Sequence, residues 1–408
     1  MAPTMMAEIT RDDLNALETP SQAIISGVKH LSSYNWIGTS TPTIAVPGSP
    51  SAWLPQTPRR LRKDTGLVYI NQNAARHPSS PLEPLFRALY ISRPSFDIRS
   101  TDVVSDRNSI RKLLTFVEPS SSRNGLEAFS ITIEVVKDTV ILCRDGKATV
   151  EIIGWDEFRG FGHEFKKAYT TNEIGGGTGH HRVISYSFGG LDFIIRHETD
   201  GYLQTNQEAH HGQDDGLSST LKSMSLSSTN GHSAPAGSST KGQPAPAGPG
   251  SKLMVKKEGQ EVPIDSTIEI KTRVRHKELL VAEVASQLWV SQTPKLVRAY
   301  HKGGIFLNPQ VEDVTTDVGK WERDNQVHLR KLAALLRRIL GVVKGSGEGG
   351  SFVLEYEKSE DKLVISKVEG EKMLPEDLYA KWEGGDEDAD AGATSDTGKA
   401  SGDDGQVV

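Results

Sequence analysis

The sequence predicts an α+β protein with a mixed central β-sheet flanked by helices. Three observations carry that reading. Runs such as Phe129–Val135, Arg182–Phe188 and Thr267–Val274 alternate apolar and polar residues, as half-buried strands do. Stretches such as Arg107–Val117 repeat apolar residues with helical spacing. Short turn dipeptides, Lys137-Asp138 and Gly189-Gly190, join neighbouring strand patterns into hairpins.

The elements follow in order. Pro84–Ser92 and Arg107–Val117 read as helices, the second with Ile110, Leu113, Leu114 and Val117 on one face. Phe129–Val135 and Thr139–Arg144 form a hairpin, and Trp155–Thr170 reads as a helix. Arg182–Phe188 and Leu191–His197 form a second hairpin, and Thr267–Val274 a strand. Leu279–Val290 reads as a helix, then Lys295–Tyr300 and Gly304–Leu307 as strands. Val318–Val343 reads as one long helix with Leu329, Leu332, Leu336, Ile339, Leu340 and Val343 buried. Phe352–Tyr356 and Lys362–Ser366 close with a hairpin.

The chain has 408 residues and only 36% hydrophobic content, so part of it is expected to lie outside a packed core. Residues 1–20 read as a disordered, polar start, and 21–382 as a single domain. That domain is interrupted at 203–252 by a Ser-, Gly- and Pro-rich insertion too poor in large apolar residues to offset its ordering entropy. Strand signals flank the insertion, which predicts a hairpin with a very long loop. Residues 383–408 form an acidic tail with eight acids and one base, so the rest of the chain is close to neutral despite a net charge of −6. Local basic runs on such a body can still bind a polyanion. The lone Cys143 forms no intrachain disulfide and reads as a small buried apolar residue. No signal-peptide or membrane-spanning run is present, so the expectation is a protein in the nucleus or cytoplasm, neither secreted nor membrane-bound. Arg59-Arg60-Leu61-Arg62-Lys63 is a weak nuclear address or a solvated basic loop.

The chemistry centres on Glu269-Ile270-Lys271. Residues two apart on a strand share a face, so the carboxylate and the ammonium stand side by side. The pattern alone is common on exposed strands. Glu198 and Asp200 are also two apart, and two like charges so placed repel unless a cation relieves them. If the two strands pair, three carboxylates and a lysine meet, the constellation of a metal-dependent nuclease of the PD-(D/E)XK type.

The motifs are more specific than that. "DVVSDRNSIRKLL", "FGHEFKKAY", "RHETDGY", "IEIKT" and "QLWVSQTPKLVRAYHKGGI" occur in that order, followed by the helix "WERDNQVHLRKLAALLRRIL" and the ending "LPEDLYAKW". In order and spacing over most of residues 24–382, the chain resembles the DXO family of RNA 5′-end decapping exonucleases. The resemblance implies that Glu198, Asp200 and Glu269 bind Mg2+ or Mn2+ with the Ile270 carbonyl. It also implies that Lys271 and Gln287 hold the attacking water or scissile phosphate, and that Arg107 contacts substrate phosphate. The implied partners are RNA 5′ ends, with no DNA specificity, and a protein nuclease. Arg182, Arg273, Arg275 and Lys277 are further candidates for the RNA backbone, each by itself better read as a solvated charge.

One position departs from the family pattern. Where the family has a metal-binding glutamate in the helical segment, this chain has Lys166, and Glu164 lies roughly 200° away around a helix. An impaired relative that binds RNA or a protein is therefore the alternative to a hydrolase. Other signals are weaker. "GGGTGHH" at 175–181 lacks the Gly-Lys-Ser/Thr of a phosphate loop and reads as a flexible turn. His180, His181 and His197 lack zinc-site spacing and read as surface or hydrogen-bonded histidines. A geranylgeranyl pyrophosphate synthetase would need two Asp-Asp-x-x-Asp motifs. The pairs Asp12-Asp13, Asp214-Asp215 and Asp403-Asp404 lack the third aspartate.

Overall fold

A computed structural model describes residues 3–54, 56–121, 125–146, 148–204, 242–347 and 349–383. Most of the expected insertion, 205–241, and the tail 384–408 lie outside the described residues. Two sheets organise the rest. The larger has twelve strands. From one edge it runs Thr4–Thr10, Lys362–Val368, Ser351–Glu357, Phe129–Val136, Thr139–Asp145 and Val103–Asp106. It continues through Leu191–Glu198, Gly177–Phe188, Ile25–Ile37, Thr43–Gly48, Met254–Gly259 and Ala245–Pro246. Val103–Asp106 is parallel to both neighbours, which makes the sheet mixed, as expected. The smaller sheet has Thr267–Val274 and Lys295–Lys302 side by side in parallel.

Helices cover both faces of the large sheet. Arg107–Val117 and Gln326–Lys344 bury Leu113, Leu114, Leu332 and Leu336 against Ile131, Val140 and Ile195. Glu83–Ser92 and Glu376–Glu383 bury Phe86, Leu89, Leu378 and Trp382 on the other face. Full burial of one such side chain contributes about 1.5–3 kcal/mol. No helix among the described residues is long and apolar enough to cross a membrane.

Several expectations are corrected. Residues 4–10 are not a loose start: they form an edge strand paired with Thr10↔Lys362 through Thr4↔Lys367. Residues 242–252, expected to belong to the loose insertion, are held in place: Ala247 N–H donates to Leu253 O, and Leu253 is buried. The helix expected from Trp155 begins only at Gly162, because Gly160 sits at φ +132° and takes the chain out of a helical path. The expected long helix is two, Thr315–Asp324 and Gln326–Lys344. The break falls at Asn325, whose Nδ2 donates to Trp321 O at 2.8 Å and competes with the helical ladder. Helix Leu279–Val290 is reduced to a 3-10 turn, Val281–Glu283, and Ala285–Ser291. The glycine-rich "turn" is a strand: Gly177–Phe188 pairs with Ile25–Ile37 and Leu191–Glu198.

Candidate functional site

The expected long-looped hairpin does not run through Leu191–Glu198; among the described residues before the insertion, Gly201–Tyr202 alone pairs with the strand Thr267–Val274. Leu191–Glu198 belongs to the large sheet and Thr267–Val274 to the small one. The chain crosses between them at Thr199-Asp200, and Gly201–Tyr202 then pairs antiparallel with Thr267 and Ile268. The crossing is tight: a Cβ on Gly201 would lie 2.7 Å from the Ser51 carbonyl oxygen. Asp200 is pinned across the seam, its Oδ2 accepting the Ile270 N–H at 2.7 Å. Glu198, Asp200 and Glu269 therefore meet where two sheets join, not on the face of one hairpin.

Glu269 anchors a dense network. Lys271, on the same face of the strand, places Nζ 2.9 Å from Glu269 Oε1. Gln287, on the helix Ala285–Ser291, donates Nε2–H to the same oxygen at 2.6 Å and accepts from Lys271 Nζ at 3.1 Å. Arg107, the first residue of its helix, reaches Glu269 Oε2 at 3.4 Å. Four sequence-expected residues thus come together. Burial opposes the charge on Glu269, but Lys271, Arg107 and Lys166 outweigh it and hold the carboxyl well below the usual range.

Lys166 completes the cluster. It projects from the helix Gly162–Tyr169 and its ammonium pairs with Asp200 Oδ1. Burial disfavours that charge, yet Asp200, Glu198 and Glu269 override it and keep Lys166 protonated above its ordinary range. Asp200 is pushed up to about 6 by burial and by the charge of Glu269, against the pull of Lys166. Glu198 is open to solvent at the site yet walled in by protein at longer range. Burial raises its pKa, and Lys166, His181 and Arg107 lower it further than that. Glu164 does not reach the cluster. Its Oε1 takes Lys167 Nζ at 2.8 Å, while its N–H is capped by Asp64 Oδ1 at 2.9 Å. No motif in the sequence points to Asp64, which caps this helix from far along the chain.

As arranged, these residues do not fit a divalent cation. Both oxygens of Asp200 are engaged, by Lys166 and by the Ile270 N–H, and both oxygens of Glu269 are engaged by Lys271, Gln287 and Arg107. Only Glu198 is open, and no group of three or more His, Cys, Asp or Glu among the described residues is placed to hold a metal. What Ile270 contributes here is its N–H.

A cavity of about 750 Å3 opens beside the cluster. Lys166, Glu198, Asp200 and Arg107 line it, whereas Glu269, Lys271 and Gln287 lie behind them, Glu269 being joined to Arg107 and the Ile270 N–H to Asp200. Six cationic side chains line it against three carboxylates, so its field favours an anion. Two of the six, Arg111 and Arg144, form no ion pair among the described residues. Of the other basic candidates, Arg182 is buried and hydrogen-bonded to Val262 O, and Arg273 is paired with Glu283.

The histidines are not surface residues. His180, His181 and His197 are buried in the cavity wall. Burial, ahead of nearby arginines, holds His180 and His197 well below the ordinary value and brings His181 down to about 4. Burial likewise brings His30 down to about 3. Below about pH 6.5 the unfolded chain protonates these four side chains and the folded chain does not. Stability is then lost as the pH falls, by up to about 1.4 kcal/mol per pH unit for each. Asp200 works in the opposite direction, taking its proton more readily in the folded state, but it is one group against four. The urea midpoint is expected to fall steeply between pH 6.5 and 5. A flat profile would show that the imidazoles titrate normally in the fold.

The two sheets, the seam between them and the cationic cavity define a nuclease-like α+β fold, and solved structures share it. S. pombe Rai1 matches with TM-score 0.53 and 11% identity, over 89% of this chain and 99% of that one. Scheffersomyces stipitis Rai1, in complex with (3′-NADP)+ and calcium ion, matches with TM-score 0.54 and 10% identity, over 90% and 97%. Candida albicans Rai1, in complex with pU5-Mn2+, matches with TM-score 0.52 and 11% identity, over 91% and 97%. The DXO-like fold implied by the motifs is present. The chain belongs to the family described as domain of unknown function DUF8563, whose model matches residues 9–382. No curated protein matches it in sequence.

Proposed function

We propose that the chain binds the 5′-phosphorylated end of single-stranded RNA in this cavity and does not hydrolyse it through a divalent metal. The observation that carries the reading is the Lys166 ammonium seated on Asp200 among three carboxylates. It supplies inside the protein the positive charge that a metal would bring. The ligand class is supported by the excess of cations in the wall, with Arg111 and Arg144 free of carboxylate partners among the described residues. It is also supported by the nucleotide ligands in the Rai1 structures of the same fold. Phosphate binds such guanidiniums through charge-assisted hydrogen bonds.

The test is fluorescence anisotropy with 5′-monophosphate, 5′-triphosphate and 5′-hydroxyl RNA, each with Mn2+ and with chelator. Phosphorylated ends are expected to bind equally well in both. The double variant Arg111→Ala/Arg144→Ala is expected to lose about 10- to 100-fold in affinity. Its salt dependence should flatten by about 0.7 for each phosphate that the variant no longer neutralises. Equal binding of the 5′-hydroxyl RNA would remove the phosphate reading.

A second reading, a metal-dependent decapping or 5′-end hydrolase, is favoured by one observation. Glu269, Lys271 and Gln287 form an intact array and Glu198 is open beside it. In that case Lys166 swings away from Asp200, and the same incubations yield shortened or decapped RNA with Mn2+ or Mg2+ but not with chelator.

A further inference from the structure

His180, His197 and Thr199 sit together at the end of the large sheet. Arg182 lies opposite His197, and the Thr199 N–H donates to His180 O at 3.0 Å. By strand alternation the three side chains share one face. All three line the cavity, and they are 3%, 5% and 5% exposed.

Their hydrogen bonds fix which ring nitrogen carries the proton. Asn35 Oδ1 accepts the Ser49 N–H at 2.8 Å, so that atom is the amide oxygen. His180 Nδ1 lies 2.8 Å from it and is therefore the protonated nitrogen. His197 Nδ1 lies 3.2 Å from the Glu198 main-chain oxygen, which only accepts, so it too carries its proton. A neutral imidazole has one N–H, which leaves Nε2 of each ring a bare acceptor. Neither Nε2 has a hydrogen-bond partner among the described residues, nor does Thr199 Oγ1. Buried polar atoms are rarely left in this state. The wall of the same cavity thus holds, beside cations suited to phosphate, two histidines whose Nε2 acceptors are buried and without a partner among the described residues.

We propose that this wall receives a neutral hydrogen-bond donor of the nucleotide next to the 5′ phosphate, either the ribose 2′-hydroxyl or an exocyclic base amine. The proposal rests on the reading that the cavity holds a phosphorylated 5′ end. A cationic cleft alone binds phosphate without regard to sugar or base. A buried acceptor disfavours a ligand that lacks the donor, because the nitrogen then stays unpaired. His180 and His197 are in that case specificity-determining residues that leave phosphate binding untouched.

The experiment uses the wild-type full chain and changes only the ligand. Short 5′-monophosphate oligonucleotides carry 2′-hydroxyl, 2′-fluoro or 2′-deoxy ribose at the first position, with adenine or unsubstituted purine as base. A drop of about tenfold on losing the hydroxyl assigns the donor to the ribose. A similar drop on losing the amine assigns it to the base. Equal affinity across the set overturns the proposal and leaves phosphate binding standing. Failure of every phosphorylated ligand to bind overturns both. The variant His197→Phe adds a second readout. It should reduce the discrimination and bind the donor-less ligand as the wild type does; if it does not fold, the ligand series on the wild type still decides.

Discussion

Lys166→Glu is expected to turn a protein indifferent to divalent cations into one that they stabilise. In the wild type the ammonium answers Asp200, Glu198 and Glu269. Reversing its charge leaves four carboxylates at the seam of the two sheets, with Arg107 and Lys271 as the remaining cations nearby. Breaking a buried pair costs about 3–5 kcal/mol. The cost here falls at the low end, because the Lys166 side chain is 32% exposed. Four carboxylates are also the kind of oxygen-donor set that Mg2+ or Mn2+ takes. A cation at 100 times its Kd returns about 2.7 kcal/mol, and at 1,000 times about 4.1 kcal/mol. The variant should therefore melt early in chelator and recover with Mn2+, with stoichiometric binding by calorimetry. The wild type should show neither response. Lys166→Met separates the two effects, since it removes the charge without adding a ligand. If Mn2+ stabilises the wild type as much as the variant, Lys166 does not occupy the cation's place.

Much of the site is readable from spacing. Strand alternation puts Glu269 and Lys271 together, and the structure brings them to 2.9 Å. Gln287 and Arg107 follow from motif order, and both reach Glu269. Lys166 stands out as a departure from the motif, and the fold shows its consequence: the ammonium pairs with Asp200. What alternation does not supply is the path between the carboxylates. A period of two says which residues share a face, not which sheet a strand joins, so a switch of sheets at Thr199-Asp200 looks like a hairpin. The N-terminal strand escapes the same reading because an edge strand with one exposed face, such as Thr4–Thr10, carries little hydrophobic signal. The cavity histidines escape it for a similar reason. His181, for example, is covered by Tyr34, stacked on it at 5.2 Å, and by Gln72, which also lies over Gly179, and these residues are far apart in the chain.

Two carboxylates that a metal centre would treat alike should differ sharply on substitution. Glu269 is 4% exposed and takes hydrogen bonds or ion pairs from Lys271, Gln287 and Arg107. Glu269→Ala leaves those groups without their acceptor, at a cost of about 3–5 kcal/mol. Glu198 is exposed to the cavity, and its side chain has no hydrogen bond or ion pair among the described residues. Glu198→Ala should change stability by no more than about 0.5 kcal/mol. In a vacant metal shell the expectation is different, because removing either carboxylate relieves repulsion between like charges and stabilises the metal-free protein. Urea unfolding of both variants in chelator at pH 7 distinguishes the cases. A large loss for Glu269→Ala beside a near-neutral Glu198→Ala identifies Glu269 as the structural acceptor of a cation network. Stabilisation by both would mean that the three carboxylates form an open cation site and that Lys166 does not neutralise it.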